Sequence, residues 1–598
     1  MRRRRSRSLP IVEWLSCDAQ GALEMNEGEL TELLKADSEI ITERINHWAA
    51  TAGERTFFYY GEDDESLTFA DFVRRADAIA GNLARLGIQK GDRVSVFCKN
   101  ALASTLLMFG IWKAGAVYCP INFGYTGRLL TYQLNDMAPK LVVTDGALLP
   151  ALNDVLDAVD VKPSIIVYSP APGAHDFIAE PPTVRAGYKE IAWSELSEPA
   201  NAPGIAVTFD DEANLIYTSG TTGPSKGVVQ PYRWMAQYTF SLRALVNQND
   251  VIYNDLPMYH VGGAIANVCR AAWAGCEVAV WNRFSPESFW DRVKARNVTT
   301  AILLDVMIPW LDKAPPLEND RRNTLNKVHM QPLPLLHHDF ARRFGIDFVT
   351  AGFGQTESGA GITVVLEETK QGEGTPDDLY RGLSHAQVAE IADRFDMPLV
   401  SGSEASRKGL MGVPTLFVDV AVRDDLDEEC ADEIAGHLTL RPRLPGIFFH
   451  SYLGKPEATL NAFRNLWFHT GDAALRGRDG MYYYVDRLGD RIRVRGENLS
   501  SFQVEDMLNQ HPSVQMSAVV AVPSDEGNED QVVAYVVAVG GGSVTEEAIH
   551  AFAAETMPKF MRPRHVRIVG DLPRTPTNKV EKYKLRQLIL NELQATPR

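Results

Sequence analysis

The segment Leu215–Val228 passes from an apolar start into Thr218-Ser219-Gly220-Thr221-Thr222-Gly223-Pro224-Ser225-Lys226-Gly227, ten residues holding three glycines, five hydroxyls, one proline and one lysine. Glycines let backbone N–H groups turn inward, hydroxyls add donors, and the lysine adds charge, a combination suited to a polyphosphate. The spacing is not that of a Walker A loop. In Gly352-Phe353-Gly354-Gln355-Thr356-Glu357 a flat apolar ring precedes a hydroxyl and a carboxylate. The ring can stack on a base, and the carboxylate oxygen is the ligand type Mg2+ prefers. Asp472, in Phe468-His469-Thr470-Gly471-Asp472, can accept two ribose hydroxyls. Lys579 ends the run Pro573-Arg574-Thr575-Pro576-Thr577-Asn578-Lys579. Its ammonium is suited to stabilising negative charge that builds on a phosphate under attack.

Positioning these groups falls to alternating helices and strands. Phe72, Val73, Ala76, Ile79, Ala80 and Leu83 recur at helical spacing before Gly87, and Val94, Val96 and Cys98 follow at period two. Ala101–Lys113 with Val117–Ile121, then Leu129–Asn135 with Leu141–Val143, repeat the pattern. Such alternation predicts a largely parallel sheet covered on both faces. Near residue 490 the texture changes. A helix is predicted over Ser501–Asn509, two β-rich runs over Met516–Val522 and Val532–Val539, and a helix over Glu546–Glu555, with a basic, proline-punctuated tail.

Composition narrows the function. The chain has 598 residues, 45% hydrophobic and 23% charged, which excludes a disordered or collagen-like protein. Its net charge of -17 argues against binding nucleic acid through an overall field. Five arginines (Arg2, Arg3, Arg4, Arg5, Arg7) crowd the start, but acids at Glu13 and Asp18 and the lack of a long apolar stretch do not fit a signal peptide. Residues 1–24 are expected to be a disordered basic leader. No run reaches the length of a transmembrane helix. The six cysteines are scattered without metal or disulfide spacing, as in a reduced, cytoplasmic protein.

Taken in order, the motifs resemble those of the adenylate-forming superfamily of acyl-CoA synthetases, peptide-synthetase adenylation domains and luciferases, over nearly the whole chain after the leader. Leu256-Pro257-Met258-Tyr259-His260-Val261-Gly262-Gly263 is similar to the segment bearing a histidine beside the acyl site. Gly352–Glu357 resembles the Y-G-x-T-E motif with Phe353 for tyrosine, and Thr470-Gly471-Asp472 the T-G-D motif. Asp486-Arg487-Leu488-Gly489-Asp490 resembles the hinge, and Pro573–Lys579 the segment of the C-terminal catalytic lysine, with Asn578 where the family has glycine. Asparagine tolerates left-handed backbone better than most residues.

The resemblance implies a large α/β domain over residues 25–488, with mixed or parallel sheets packed against helices, and a small mobile α+β domain over 489–598 pivoting at Gly489 and Asp490. It implies catalytic roles for Lys579, Thr356, Glu357 and His260, with Glu357 as metal ligand. Nucleotide or CoA contacts are implied for Thr218, Ser219, Gly220, Thr221, Thr222, Gly223, Lys226, Gly352, Phe353, Gly354, Gln355, Asp472, Arg487 and Gly496. The implied reaction is ATP-dependent activation of a carboxylic acid as acyl-AMP with release of pyrophosphate, then transfer to coenzyme A with release of AMP. ATP, Mg2+, CoA and a small carboxylic acid are the expected ligands, and a homo-oligomer is compatible with the sequence.

Arg495–Ser501 and Thr575–Lys582 look most like the carnitine/crotonobetaine-CoA ligase branch. The aromatic residues Tyr232, Trp234 and Trp273 are read as core, with a cage for a quaternary ammonium as the alternative. A polar segment, about Val364–Lys408, departs from the family and includes a predicted helix at His385–Arg394. It is expected to be a surface excursion. Because it follows closely on Glu357, a cover over the acyl or thiol entrance is the other reading. That reading motivates the alternative function, a stand-alone acyl-AMP ligase delivering to a carrier-protein thiol. A non-catalytic adenylate-binding relative is the third.

Overall fold

Strands buried on both faces must be apolar throughout, and the helices between them must be apolar where they pack. Val117–Pro120 and Leu141–Asp145 are buried at every position, and so is the whole helix Ala101–Lys113. The computed structural model describes residues 25–218, 225–304, 307–487, 492–494, 497–499, 501–523, 530–557, 559, 561–574 and 580–595. They form two compact units. The first runs through Val420 and takes back Leu440–Phe468; the second holds Ala421–Thr439 and the chain from His469 onward. No helix among the described residues is long and apolar enough to cross a membrane.

One sheet of the first unit places Ser451–Tyr452, Lys226–Pro231, Glu212–Thr218, Val117–Pro120, Arg93–Phe97, Leu141–Asp145, Ser164–Tyr168 and Glu190–Ala192 side by side. Its later members are parallel, whereas Glu212–Thr218 and Lys226–Pro231 form an antiparallel hairpin. In a second sheet Phe348–Gln355, Lys327–Gln331, Thr300–Leu304, Val251–Asn254, Glu277–Val280 and Thr56–Tyr60 run parallel. Antiparallel Gly359–Glu367 adds to Phe348–Gln355. The expected mixed and parallel sheets covered by helices are therefore present. Ligands of such sheets bind at the carboxyl ends of the strands. Asn254, Gln331 and Gln355 end there, and Leu256–Gly263 and Thr356–Glu357 leave from that edge.

The second unit contains the helix Ser501–Asn509, antiparallel strands Val514–Pro523 and Asp530–Ala538, and the helix Glu546–Thr556. All four elements match the sequence expectation to within two residues at each end. The tail is more ordered than expected. His565–Val569 adds parallel to Asp530–Ala538, and Lys582–Ala595 is a helix. Among its described side chains that helix buries Leu585 and Ile589, one turn apart, whereas Leu588 and Leu593, at helical spacing with them, are exposed. The Tyr535 hydroxyl also donates to the Leu585 carbonyl at 3.0 Å.

The departure after Glu357 is resolved by topology. The chain first returns along Gly359–Glu367, so Val364–Glu367 belong to the sheet and the excursion begins later. The strand Phe348–Gln355 is eight residues, roughly 23 Å, long. The excursion is thus anchored at the strands' amino ends, away from Thr356 and Glu357. The Thr375 N–H donates to Asp347 at 3.1 Å, and Asn326 donates to the Arg381 carbonyl at 2.7 Å. Its helix His385–Arg394 coincides with the predicted one, and Leu399–Ser401 adds parallel to the end of Gly359–Glu367. His385 touches Asp347 and Glu367, each at 3.0 Å. The reading of this segment as a cover reached directly from Glu357 is corrected: a full strand intervenes.

Burial alone would lower the His385 pKa, but Asp347 and Glu367 more than offset it and the pKa is raised. Protonated His385 therefore stabilises this anchor fully below about pH 6.5 and loses that contribution as pH rises through the raised value. Proteolysis of the excursion is expected to increase over that rise. Asp347→Ala should destabilise the protein by about 3–5 kcal/mol in urea unfolding. It should leave the acid KM of adenylation unchanged within about twofold, since the excursion does not border that end.

Candidate active site

The glycine- and hydroxyl-rich loop closes the hairpin whose last paired residues are Thr218 and Lys226. Ser219, Gly220, Thr221, Thr222 and Gly223 lie outside the described residues, but the loop's flanks are fixed by a polar scaffold. The Tyr132 hydroxyl donates to the Ser225 carbonyl at 2.8 Å. Tyr217 donates to one oxygen of Asp136 and Lys455 to the other, both at 2.8 Å. Four residues from three separate segments thus hold both shoulders of a loop that has few side chains of its own to pack.

Three more segments converge beside it. The Phe449 N–H donates to the Glu357 carbonyl at 2.8 Å, and Gln230 donates to the Thr356 carbonyl at 2.7 Å. The Tyr452 hydroxyl donates to Glu357 Oε1 at 3.0 Å, and Lys226 Nζ lies 4.5 Å from the centre of the Tyr452 ring. Burial and the Glu357 carboxylate push the Tyr452 phenol far up, so it stays a donor. A cation over a tyrosine face with a carboxylate at its hydroxyl fixes both charges without joining them directly. Tyr452 is absent from the sequence expectation. Its partner is 95 residues away, and nothing in its neighbours marks it.

The rest of the motif is divided. Gly352, Gly354, Gln355, Thr356 and Glu357 are partly exposed, whereas Phe353 is 6% exposed. Phe353 therefore offers little open ring surface. A Cβ at Gly352 would come within 2.4 Å of the Ile362 carbonyl, so the close strand approach there requires glycine.

His260 sits in the turn after Asn254. Its Nδ1 accepts from the Gly262 N–H at 3.1 Å, which leaves the ring proton on Nε2. The chain then winds as a π-helix over Gly262–Cys269, a form that is uncommon and concentrated at functional sites. A Cβ at Gly263 would meet the Leu256 and Pro257 carbonyls at 2.4 and 2.7 Å. The proposed ammonium cage is not present. Tyr232, Trp234 and Trp273 are at most 1% exposed, and the Arg243 guanidinium already lies 5.0 Å from the Trp273 ring.

In the second unit Asp472 and Arg487 are direct cross-strand partners, so the two residues expected at the ribose are brought together. Asp472 is 6% exposed and Tyr484 donates to it at 3.4 Å. Gly471 has φ +77, a conformation that favours glycine in this turn. Next to Arg487, Asp486 accepts from the Ser501 N–H and hydroxyl at 2.7 and 2.8 Å. Lys582 donates to the same hydroxyl at 2.6 Å and pairs with Glu505 at 2.8 Å. That cluster joins the strand before the expected hinge to the helix that follows Lys579. Gly489, Asp490, Gly496 and Lys579 lie outside the described residues.

Glu357 and Lys226 in the first unit, and the cross-strand neighbours Asp472 and Arg487 in the second, are the groups expected of an AMP-binding enzyme. Residues 45–443 match the family model of the AMP-binding enzyme and 503–579 that of the AMP-binding enzyme C-terminal domain; the chain belongs to this family. It is 27% identical over 529 residues to the crotonobetaine/carnitine–CoA ligase of Citrobacter koseri, covering 87% of this chain and 93% of that one. The fold is similar to the anthranilate CoA ligase AuaEII in complex with anthranoyl-AMP, with a TM-score of 0.74 and 19% identity, covering 92% and 97% of the two chains. It is also similar to the O-succinylbenzoate coenzyme A synthetase of Bacillus subtilis in complex with ATP and magnesium ion, with a TM-score of 0.70 and 21% identity over 91% and 98%.

Tyr452→Phe removes one donor to a carboxylate while keeping the ring under Lys226. Pyrophosphate–ATP exchange should fall about 10- to 100-fold in kcat/KM for ATP, with the melting temperature changed by only a few degrees.

Proposed function

We propose that the chain is an ATP-dependent acid–thiol ligase that forms an acyl-CoA. The observation that carries this is the convergence of Lys226, Glu357 and Tyr452 beside the hydroxyl-rich loop, at the edge where Leu256–Gly263 also begins. Phosphate oxygens need donors and charge, and the acyl end needs a neighbouring cleft; the first unit offers both. The carboxylate of the acid attacks the α-phosphate of ATP, the new C–O–P link forms, and pyrophosphate leaves. The CoA thiol then attacks the acyl carbon, and AMP leaves with the bonding pair. Replacing a poor leaving group by AMP is what makes the second step accessible, and orientation with charge neutralisation supplies the rate.

In this reading the Thr218–Lys226 loop and Thr356 hold the polyphosphate. Glu357, which accepts from Tyr452, is the group suited to a Mg2+ that travels with the nucleotide and neutralises its charge. Gly352–Gln355 line the base, Asp472 and Arg487 take the ribose hydroxyls, and His260 stands at the acyl end. Lys579 stabilises charge at the α-phosphate, and Gly496 lies by the thiol arm. The enzyme acts in the cytoplasm. A carrier-protein thiol in place of CoA loses its motive once the excursion is seen to start a strand away from Glu357. The CoA-ligase relatives support CoA as the acceptor.

Lys579→Ala should lower acid-dependent pyrophosphate exchange at least about 100-fold. It should leave thioester formation from supplied acyl-AMP within a few-fold of wild type. Equal loss of both half-reactions would contradict the assignment of Lys579 to adenylation alone.

A further inference from the structure

ATP carries its α-phosphate on the 5′ oxygen of its ribose, so the nucleotide itself limits the distance between the sugar hydroxyls and the phosphorus under attack. An enzyme that holds the ribose with one set of side chains and neutralises the α-phosphate with another must keep a matching spacing between them. The second unit contains a continuous polar tie between these two places.

The tie starts beside Arg487, the cross-strand partner of Asp472. Asp486, its neighbour in the strand Tyr482–Arg487, is 3% exposed. Its Oδ2 accepts from the Ser501 N–H at 2.7 Å and from the Ser501 hydroxyl at 2.8 Å. Ser501 is fully buried and opens the helix Ser501–Asn509, so Asp486 also complements the positive end of that helix. The same hydroxyl accepts from Lys582 Nζ at 2.6 Å, and Nζ pairs with Glu505 Oε1, one turn further along the helix, at 2.8 Å. The Val519 N–H donates to Glu505 at 2.7 Å. A hydroxyl that donates to a carboxylate while accepting from an ammonium is polarised from both sides, which strengthens both bonds.

At its other end the tie holds the root of the segment that carries Lys579. Arg574 and Val580 form an antiparallel bridge, and the Glu581 N–H donates to the Pro573 carbonyl at 2.8 Å. Residues 575–579 therefore leave and return at one point, and Lys582 lies two residues beyond it. The helix and strands of this unit already share an apolar core that includes Val504, Leu508, Val519 and Val566, so cohesion does not need the tie. A buried ion pair adds little net stability. What a satisfied polar network does supply is one fixed geometry.

We infer that Asp486, Ser501, Lys582 and Glu505 are positioning residues that hold the root of the Lys579 segment at a set distance from the ribose pair, and so serve the adenylation step. This role rests on the adenylation reading above. Misplacing a reacting group by about 1 Å can cost about 100-fold in rate. Asp486 precedes and Ser501 follows the pivot expected at Gly489 and Asp490, so a turn there releases the tie as Lys579 withdraws.

Pyrophosphate–ATP exchange and thioester formation from supplied acyl-AMP, measured separately on the full chain, test it. The best acid of a broad carboxylic panel and its acyl-AMP are the probes. Ser501→Ala cuts the tie at its centre and leaves the Lys582–Glu505 pair in place. Ser501→Ala and Lys582→Met should each lower exchange about 10- to 100-fold in kcat/KM. Thioester formation should stay within a few-fold of wild type, and Lys582→Arg should retain more exchange than Lys582→Met. In a Lys579→Ala background the same substitutions should cost less than about twofold, because they act through the lysine already removed. If Lys582→Met does not fold, Ser501→Ala alone decides. Equal loss of both half-reactions, or no loss of either, would overturn the inference. So would persistence of the full loss in the Lys579→Ala background. Exchange by the wild-type chain with none of the acids would overturn the adenylation reading, and this inference with it.

Discussion

The hydrogen bond from Tyr452 to Glu357 joins a strand of one sheet to the turn that leaves the other. Around it, Phe449 holds the Glu357 backbone, Gln230 holds Thr356, and Lys226 rests on the Tyr452 ring. A carboxylate with a lysine nearby would ordinarily close into an ion pair and lose its availability. Interposing a tyrosine lets the phenol satisfy one oxygen and the ring face satisfy the ammonium. The two charges are thereby held near one another without a direct ion pair between them. Tyr132, Tyr217, Asp136 and Lys455 tie down the residues on either side of the hydroxyl-rich loop.

Much of the fold was legible because its strands and helices are long and locally consistent. Ala101–Lys113 and Ser501–Asn509 coincide with their predicted bounds, as does His385–Arg394 within the excursion. The helix Lys582–Ala595 was legible only as part of a tail although Leu585, Leu588, Ile589 and Leu593 recur at helical spacing, because Pro573, Pro576 and the basic residues around them mask where it begins. At the site, motif order pointed to Thr356, Glu357 and the Asp472–Arg487 pair, since their residue types state their chemistry. Tyr452, Asp136 and Lys455 left no trace, because each acts through a contact that exists only after distant segments meet. Phe353 was legible as a residue, but its burial was not: exposure of a ring belongs to packing, which a motif does not encode.

The net charge of -17 sits with a protein whose proposed ligands are polyanions. Attraction must therefore be local, and cations inside the first unit are largely spoken for by Asp37, Glu39 and Asp250. In such an interior each guanidinium is informative through its partner or lack of one. Arg233 stacked on Phe209 and paired with Glu39 is architecture. Arg270 has neither a carboxylate partner nor a facing ring among the described residues, and its one hydrogen bond goes to Asn267.

The excursion carries a consequence for how this chain can vary. A β-strand acts as a ruler that converts a few residues of sequence into a large distance, and antiparallel return along Gly359–Glu367 spends that distance before new material enters. The added residues at the far end have their own histidine–carboxylate anchor, His385 with Asp347 and Glu367, a strand's length from the turn holding Glu357. Nearness in sequence to a reactive group is thereby compatible with distance from it in the fold. One end of the sheet is left open to change while the other stays constant.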